Sequence, residues 1–326
     1  MHTISIIGAG NIGSRHLQAL AQSKLPLNIC VVDPDKAALD LSLARWDSVE
    51  KKSDFKISFL SKVSDLPRNI YISILATNSD VRFDIIAQLF ECSKVNYLVL
   101  EKFLFSNPVQ YDLTEELLYK HRVNAFVNCP MRSYPHYQQI AQQLQSDAVP
   151  FNYDYDGSSF GLLSNSIHHL DLFSYFSKKL EMNLRFDGLE YELKSSKRSG
   201  FDEAFGNLFA FDSNGNSLHL CSYKNGDAQD IVIIRNCFRR YVIDFKTGKT
   251  MYSGVDNHWE WCAFEYPKYF QSTISHWFVD DLLNSGTCSL STYQDSMKLH
   301  LNFLKGLCDH LRERKTSLHS DLVRIT

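Results

Sequence analysis

The sequence predicts an α/β protein in two parts: an N-terminal doubly wound parallel sheet and a C-terminal α+β domain built on a mostly antiparallel, open sheet. Three observations carry this expectation. Apolar strand-type runs alternate with helix-period segments through residue 128. A glycine-rich turn, Gly8-Ala9-Gly10-Asn11-Ile12-Gly13, breaks the first of these alternations. After about residue 150 the pattern changes to period-two strands separated by turn residues. The boundary falls near Cys129-Pro130, giving domains of 1–128 and 129–326.

The chain opens with Thr3-Ile4-Ser5-Ile6-Ile7, a short apolar run of strand type, which passes through the glycine turn into a helical pattern carrying Leu17, Leu20 and Ala21. In a dinucleotide site the first glycine makes the turn, the second lets backbone approach the pyrophosphate, and the third lets helix and strand pack closely. The helix N-terminus then faces the phosphates, where unpaired N–H groups and the macrodipole favour negative charge. Gly8, Gly10, Asn11, Ile12 and Gly13 are therefore candidate cofactor contacts. A second apolar run, Leu27 to Val32, ends in Asp33, about 20 residues past the glycines, where the ribose-binding carboxylate is expected. A carboxylate there accepts hydrogen bonds from free ribose hydroxyls and repels a 2′-phosphate. No Arg or Lys follows in Pro34-Asp35, so NAD is expected over NADP.

The alternation continues with a helix that sets Ala37, Leu41 and Ala44 on one face, a strand at Phe55–Leu60, and a segment from Val63 to Leu66 ended by Pro67. Ile70 to Ala76 is a continuous apolar run of the kind buried on both faces. Thr77-Asn78-Ser79-Asp80 follows and is suited to capping a helix that buries Ile85, Ile86 and Leu89; Thr77 and Asn78 are further candidate cofactor contacts. Tyr97 to Leu100 delivers Glu101 and Lys102, both further candidate cofactor contacts, to the carboxyl edge of the sheet, where ligands of open parallel sheets sit. A helix marked by Leu113, Leu117 and Leu118 and a strand at Ala125–Val127 close this part.

Beyond the boundary, a helix carries Tyr137, Ile140, Ala141 and Leu144, and Phe151 to Asp156 alternates as a strand with one wet face. Further strands are expected at Leu189–Leu193, Ala204–Phe211, Ser217–Tyr223, Ile231–Arg235 and Tyr241–Phe245, with turns at Asp212–Asn216 and Thr247-Gly248. Together they read as a mostly antiparallel meander. Two late helices follow, one with Phe270, Ile274, Trp277 and Phe278, the other with Tyr293, Met297, Leu301, Leu304, Cys308 and Leu311.

At 326 residues the chain can bury two cores. A net charge of −3 gives no basic footprint for nucleic acid. The eight cysteines are widely spaced without CxxC pairs, which reads as reduced thiols and no metal site. No apolar run approaches the roughly 20 residues of a membrane span, and Met1-His2-Thr3 leads straight into a strand, so a cytoplasmic protein is expected. Repeats and low-complexity segments are absent.

Three places can carry chemistry. Lys102, partly desolvated at the sheet edge, is placed to hold a reacting hydroxyl and stabilise alkoxide character; the competing reading is a strand-end lysine paired with Glu101. Ser164-Asn165-Ser166-Ile167-His168-His169-Leu170-Asp171 opens a helix on which His168 and Asp171 share a face, so the carboxylate can orient an imidazole suited to proton exchange near neutral pH. The bland reading is a partly buried structural histidine, and it is preferred for His169. Arg132, after Asn128-Cys129-Pro130-Met131, suits an anionic or hydroxyl-rich ligand; a plain salt bridge competes. Arg132, Asp171 and Ser164 are the candidate substrate contacts.

The glycine turn, Glu101-Lys102-Phe103, Asn128 to Pro135 and Ser166 to Asp171 together resemble the glucose-fructose oxidoreductase and inositol dehydrogenase (Gfo/Idh/MocA) family, and Phe270 to Leu307 is similar to that family's late helical segment. The resemblance implies an N-terminal Rossmann domain, a C-terminal domain whose open sheet forms a homodimer or homotetramer, and NAD-dependent oxidoreductase chemistry on a secondary hydroxyl or ketone of a sugar, sugar nucleotide or acid sugar. It is similar in particular to members of bacterial surface-glycan pathways. Lys102 matches the lysine of the family's Glu-Lys-Pro motif and His168 the histidine of its Asp-x-x-x-His motif, which implies catalytic roles for both. Two positions depart. Phe103 stands in place of the proline, so the motif does not by itself imply the cis peptide that often positions the lysine. Ser164 stands in place of the aspartate. Two alternatives stay open: NAD-using glycoside cleavage or elimination with no net redox, and a catalytically silent NAD or sugar sensor.

Overall fold

The computed structural model describes residues 1–190, 193–196, 200–313 and 323–326. In chain order the elements are β1 (His2–Ile7), α1 (Asn11–Leu20), β2 (Leu27–Val32), α2 (Lys36–Asp47), β3 (Phe55–Leu60), β4 (Asn69–Leu75), α3 (Arg82–Cys92), β5 (Lys94–Leu100), α4 (Val109–His121) and β6 (Asn124–Val127). There follow α5 (Pro135–Asp147), β7 (Asn152–Ser158), α6 (Leu162–Ser177), β8 (Asn183–Arg185), β9 (Lys194–Ser195), β10 (Asp202–Glu203), β11 (Gly206–Phe211), β12 (Ser217–Tyr223) and β13 (Ile231–Arg235). The chain continues through β14 (Arg239–Asp244), β15 (Lys249–Gly254), β16 (Cys262–Glu265), α7 (Gln271–Ser285), β17 (Ser291–Thr292) and α8 (Tyr293–Glu313).

Two units result. One comprises Met1–Asn128, Tyr269–Ser296 and Thr326; the other comprises Cys129–Lys268 and Met297–Ile325. The expected second domain, 129–326, is therefore not one run of chain. Helix α7 buries Ile274, Phe278, Val279 and Leu282, and the last three join Leu17 and Leu20 of α1 in the core of the first unit. Apolar periodicity shows that a helix has a buried face, not which core receives it.

The first unit holds a seven-stranded sheet in the order β17-β6-β5-β4-β1-β2-β3, in which β1 to β6 run parallel and β17 joins antiparallel. The order reverses between β1 and β4, where Ile7 is paired with both Val32 and Leu75. The loops at their carboxyl ends, starting at Gly8 and at Ala76, therefore diverge and leave a crevice. Strands β1, β2 and β4 end in runs of four buried residues, as strands covered on both faces must.

Three helix faces differ from the expected ones. On α2, Ala37, Leu41 and Ala44 are exposed, while Ser42 and Trp46 are buried, the Ser42 hydroxyl donating to the Ala9 carbonyl (3.0 Å). On α4, Leu113 is exposed and Tyr111, Thr114 and Leu118 face inward. Helix α3 starts after Val81 with no side-chain cap, so Thr77 to Asp80 do not cap it; it buries Ile86 and Leu89 but leaves Ile85 half-buried.

The second unit is built on an eight-stranded sheet in the order β16-β15-β14-β13-β7-β12-β11-β8. Strand β7 lies between β13 and β12, antiparallel to the first and parallel to the second, so the sheet is mostly antiparallel but not a simple meander. Tyr153 and Tyr155 of β7, Leu218 and Leu220 of β12 and Val232 and Ile234 of β13 point to one buried face, on which Phe151 meets Phe173 of α6 at 5.5 Å between rings. The expected strand Leu189–Leu193 is corrected: Leu189 makes an isolated bridge to Gly206, Tyr191 and Glu192 lie outside the described residues, and the strand beside β11 is Asn183–Arg185. Strands β15 and β16 have no counterpart among the strands expected from the sequence.

Candidate functional site

The three glycines of the turn are needed for three different reasons. Gly8 has φ +92°, and a Cβ there would stand 2.9 Å from the Ala76 carbonyl carbon, so both its conformation and its neighbour at the end of β4 require glycine. A Cβ on Gly13 would fall 1.7 Å from the Gly8 oxygen, which is the close packing of helix onto turn. A Cβ on Gly10 would meet nothing within 4 Å: this position faces open space, where a ligand's phosphates have room to approach. Gly10 precedes α1 without a side-chain cap, and the first turn of α1 holds no acid, so its N–H groups are left for an anion.

Asp33 closes the turn from the next strand. Its Oδ2 accepts from the Ala9 N–H (2.7 Å) and its Oδ1 from the Asp35 N–H (2.9 Å), which fixes the carboxylate at the crevice. A cavity of 510 Å³ opens beside it, walled by Gly8, Asp33, Lys62, Thr77 and Ile85 among others. The buried Thr77 hydroxyl on that wall has no hydrogen-bond partner among the described residues, a polar atom waiting for one. Asn11 and Asn78 are exposed and Ile12 is half-buried. The residues present thus fit a dinucleotide: an open glycine at a helix N-terminus, a fixed carboxylate at the ribose position and an orphan hydroxyl in the same crevice.

Lys102 leaves the end of β5 on a loop held from two sides. Arg82, buried at the start of α3, donates through Nη1 to the carbonyls of Glu101 (2.6 Å), Phe103 (2.5 Å) and Leu104 (2.8 Å), and through Nη2 to that of Thr77. One guanidinium therefore ties the loop after β4 to the loop after β5. The Lys102–Phe103 peptide is cis although no proline follows, and Phe103 is fully buried. Behind the lysine, Glu101 Oε1 lies 2.8 Å from His16 Nε2 and accepts from Asn128 Nδ2 (2.5 Å). His16 Nδ1 meets the Ser275 hydroxyl at 2.8 Å, Gln271 Nε2 donates to that hydroxyl (2.7 Å), and Gln271 Oε1 accepts from Asn128 (2.8 Å), closing a ring of five side chains. Burial alone would push the Glu101 carboxyl up, but the His16 and Asn128 hydrogen bonds and the charges of His16 and Lys102 hold it below the ordinary carboxylate value. Glu101 does not line the cavity; it anchors the residue that follows it.

In the second unit, α6 begins at Leu162 after Gly161, whose φ is +85°. Ser164 and His168 stand one turn apart on the same face. The Ser164 hydroxyl donates to Glu203 Oε2 (2.8 Å), a carboxylate brought by β10. Asp171 accepts from Arg132 Nε (2.8 Å), and Arg132 Nη2 reaches the Asp171 carbonyl (3.2 Å) while its guanidinium lies over Tyr175. Arg132 and Asp171 are thus partners of each other. His169 is 3 % exposed and its Nδ1 lies 2.7 Å from the Tyr153 hydroxyl, a structural histidine as expected.

Burial pushes His169 down to about 3 and His136 down to about 4, from an ordinary value of 6.5. Both imidazoles stay neutral in the fold and take up protons on unfolding, so stability is whole above about pH 6.5 and falls as the pH drops towards their folded values. Each should cost about 1.4 kcal/mol per pH unit in that window. Urea midpoints of wild type and His169→Gln between pH 7 and 5 check this, with the variant showing the shallower slope.

Residues 2–129 match the family described as GFO_IDH_MocA, an oxidoreductase family with an NAD-binding Rossmann fold. That stretch of the chain is similar to this family. No curated protein matches the sequence. Among solved structures the chain is similar to UDP-N-acetylglucosamine 3-dehydrogenase GnnA from Acidithiobacillus ferrooxidans, at 14% identity and TM-score 0.68 over 94% of this chain and 97% of that one. It is similar to KijD10, a 3-ketoreductase from Actinomadura kijaniata in complex with NADP, at 13% identity and TM-score 0.67 over 92% and 94%. It is also similar to a super-repressor mutant of Gal80p from Saccharomyces cerevisiae, at 13% identity and TM-score 0.72 over 96% of each chain. At these identities the likeness is one of fold.

The Gfo/Idh/MocA match covers every residue of the glycine turn, Asp33, Thr77 and Lys102. Sequence reasoning missed Arg82, Arg45 and Glu203. Arg45 of α2 donates to the Asn11 carbonyl (3.0 Å) and the Ser14 hydroxyl (2.5 Å), fixing the start of α1. An arginine facing the interior at the head of an apolar helix, as Arg82 does, was the one available signal; Glu203 sits in a two-residue strand with none. Among the described residues no group of three or more His, Cys, Asp or Glu could hold a metal, and no helix is long and apolar enough to cross a membrane.

Proposed function

We propose that the protein oxidises a secondary hydroxyl of a sugar, sugar nucleotide or acid sugar, or reduces the corresponding ketone, with NAD. The observation that carries this reading is Lys102, held at the carboxyl edge of the sheet by Arg82 and the Glu101 ring in the same unit as the glycine turn and Asp33. Bound NAD would accept the hydride from the substrate carbon. Lys102 holds the substrate oxygen by a charged hydrogen bond as negative charge builds on it. His168 takes the hydroxyl proton, and in the reverse direction returns it. Asp33 selects a free ribose hydroxyl over a 2′-phosphate. Support for the sugar-nucleotide class comes from the fold shared with GnnA.

The test is absorbance at the NADH band while purified protein and NAD are challenged with a panel of nucleotide-linked and free sugars, with calorimetry for cofactor choice. NADH should appear with a sugar nucleotide, and NADH should bind more tightly than NADPH. Product without NADH would mark elimination or glycoside cleavage; binding of NAD and sugar without turnover would mark a sensor.

We also infer a cytoplasmic homodimer or homotetramer through the second face of the β7-containing sheet. None of the eight cysteines, all among the described residues, is in a disulfide, in keeping with a reducing compartment. On that face Ile231, Ile233 and Phe209 are half-buried, Met251 and Tyr223 are exposed, and Asp154 pairs with Arg235 at 2.7 Å. Light scattering giving a monomer mass would overturn the assembly.

A further inference from the structure

We propose that Glu203 is a positioning residue for His168: from β10 it places at the head of α6 the anion that steadies the positive charge His168 takes up with a proton. The inference rests on His168 being the proton-exchanging group. Helix α6 holds no acid in its first turn, and its N-terminal end carries partial positive charge. Ser164, in that first turn, stands one turn before His168 on the same face, and Glu203 brings a carboxylate to it. Its Oε1 accepts from the N–H groups of Leu163 (2.5 Å) and Ala204 (3.0 Å), and its Oε2 from the Ser164 hydroxyl (2.8 Å) and N–H (3.4 Å). The carboxylate is buried, and Gly161 gives it room, since a Cβ there would come within 3.2 Å of Oε2 and 2.6 Å of the Ser164 oxygen.

Other charged groups on α6 and on the elements packed against it have partners of their own or are neutral. On its own helix, Asp171 is paired with Arg132, which comes from the turn Pro130–Ser133 packed on α6. His169 stays neutral. From α5, Asp147 is bound to Arg239 (2.6 Å) and His136 is held neutral by burial. From β12, His219 points to the opposite face of the sheet and lies 3.5 Å from Asp154. On β10 itself, Asp202 accepts from the Arg324 N–H (3.1 Å). Ser164 explains the arrangement: a serine one turn before His168 can receive a carboxylate from elsewhere, where an aspartate would repel it.

The decisive measurement is the protonation midpoint of His168 in the resting protein by NMR, assigned by its loss in His168→Asn, together with the acid limb of kcat/KM. Glu203→Gln keeps the shape and the acceptor for Leu163. It should lower the midpoint and the limb by about half to one pH unit, as loss of a neighbouring opposite charge does. Restoring a carboxylate with Ser164→Asp in that background should bring both back. A folded Glu203→Gln protein with an unmoved midpoint would overturn the proposal and leave Glu203 a helix cap. If Glu203→Gln fails to fold, Glu203→Asp decides: the side chain shorter by one methylene withdraws the carboxylate from Ser164, so the midpoint must fall, and no change means that the anion held there does not act on His168. Because the midpoint is read without substrate, full turnover in His168→Ala would refute the functional reading without touching this result.

Discussion

Lys102→Ala and His168→Ala should each lower turnover by about 10²- to 10⁴-fold, the range for removing a group that moves a proton or stabilises developing charge in the transition state. The two variants should differ in what they leave behind. His168 belongs to the second unit, so His168→Ala is expected to bind NAD as wild type does by calorimetry. Lys102 leaves β5 beside the dinucleotide crevice, in the first unit. Its removal should cost cofactor affinity as well, but little stability, because the buried anchors of the loop are Arg82, Glu101 and Phe103. Truncating an anchor should do the reverse: Glu101→Ala strips the His16 and Asn128 side chains of a shared acceptor and leaves buried donors unpaired. Turnover near wild type in both Lys102→Ala and His168→Ala would remove the site assignment and favour the silent reading.

The parts of this site that could be read from sequence are those in which a local rule has only one solution. A strand, Gly-x-Gly-x-x-Gly and a helix leave one geometry for Gly8, Gly10 and Gly13, and Asp33 follows from the length of the next helix and strand. Strand β2 begins and ends where its apolar run does, because its last four residues are buried. Where one face is wet, or a contact is long-range, the signal fades. Helix α2 has small residues on several faces, and which face is buried was settled by Trp46 meeting Phe55 and by Ser42 reaching Ala9. The ring behind Lys102 joins residues 16, 101, 128, 271 and 275, whose spacing carries no period. Glu203 lies 39 residues from Ser164 along the chain and meets it only in the fold.

The glycine turn offers the second large effect, and it separates packing from ligand approach. Gly13→Ala forces a Cβ to within 1.7 Å of the Gly8 oxygen, a backbone atom that cannot swing aside. The turn must shift, with a stability loss of about 1–3 kcal/mol of overpacking and with loss of NAD binding. Gly10→Ala introduces the same methyl group where no atom lies within 4 Å, at φ −63°, which alanine adopts freely. Its melting temperature should match wild type, while NAD affinity falls by about tenfold or more, equivalent to about 1.4 kcal/mol, as the methyl group occupies the approach to the pyrophosphate. Thermal melts and calorimetry on the two variants side by side test both halves. If Gly10→Ala binds NAD at wild-type strength, the phosphates do not lie over this turn; if Gly13→Ala is as stable as wild type, α1 does not pack on Gly8 as the structure has it.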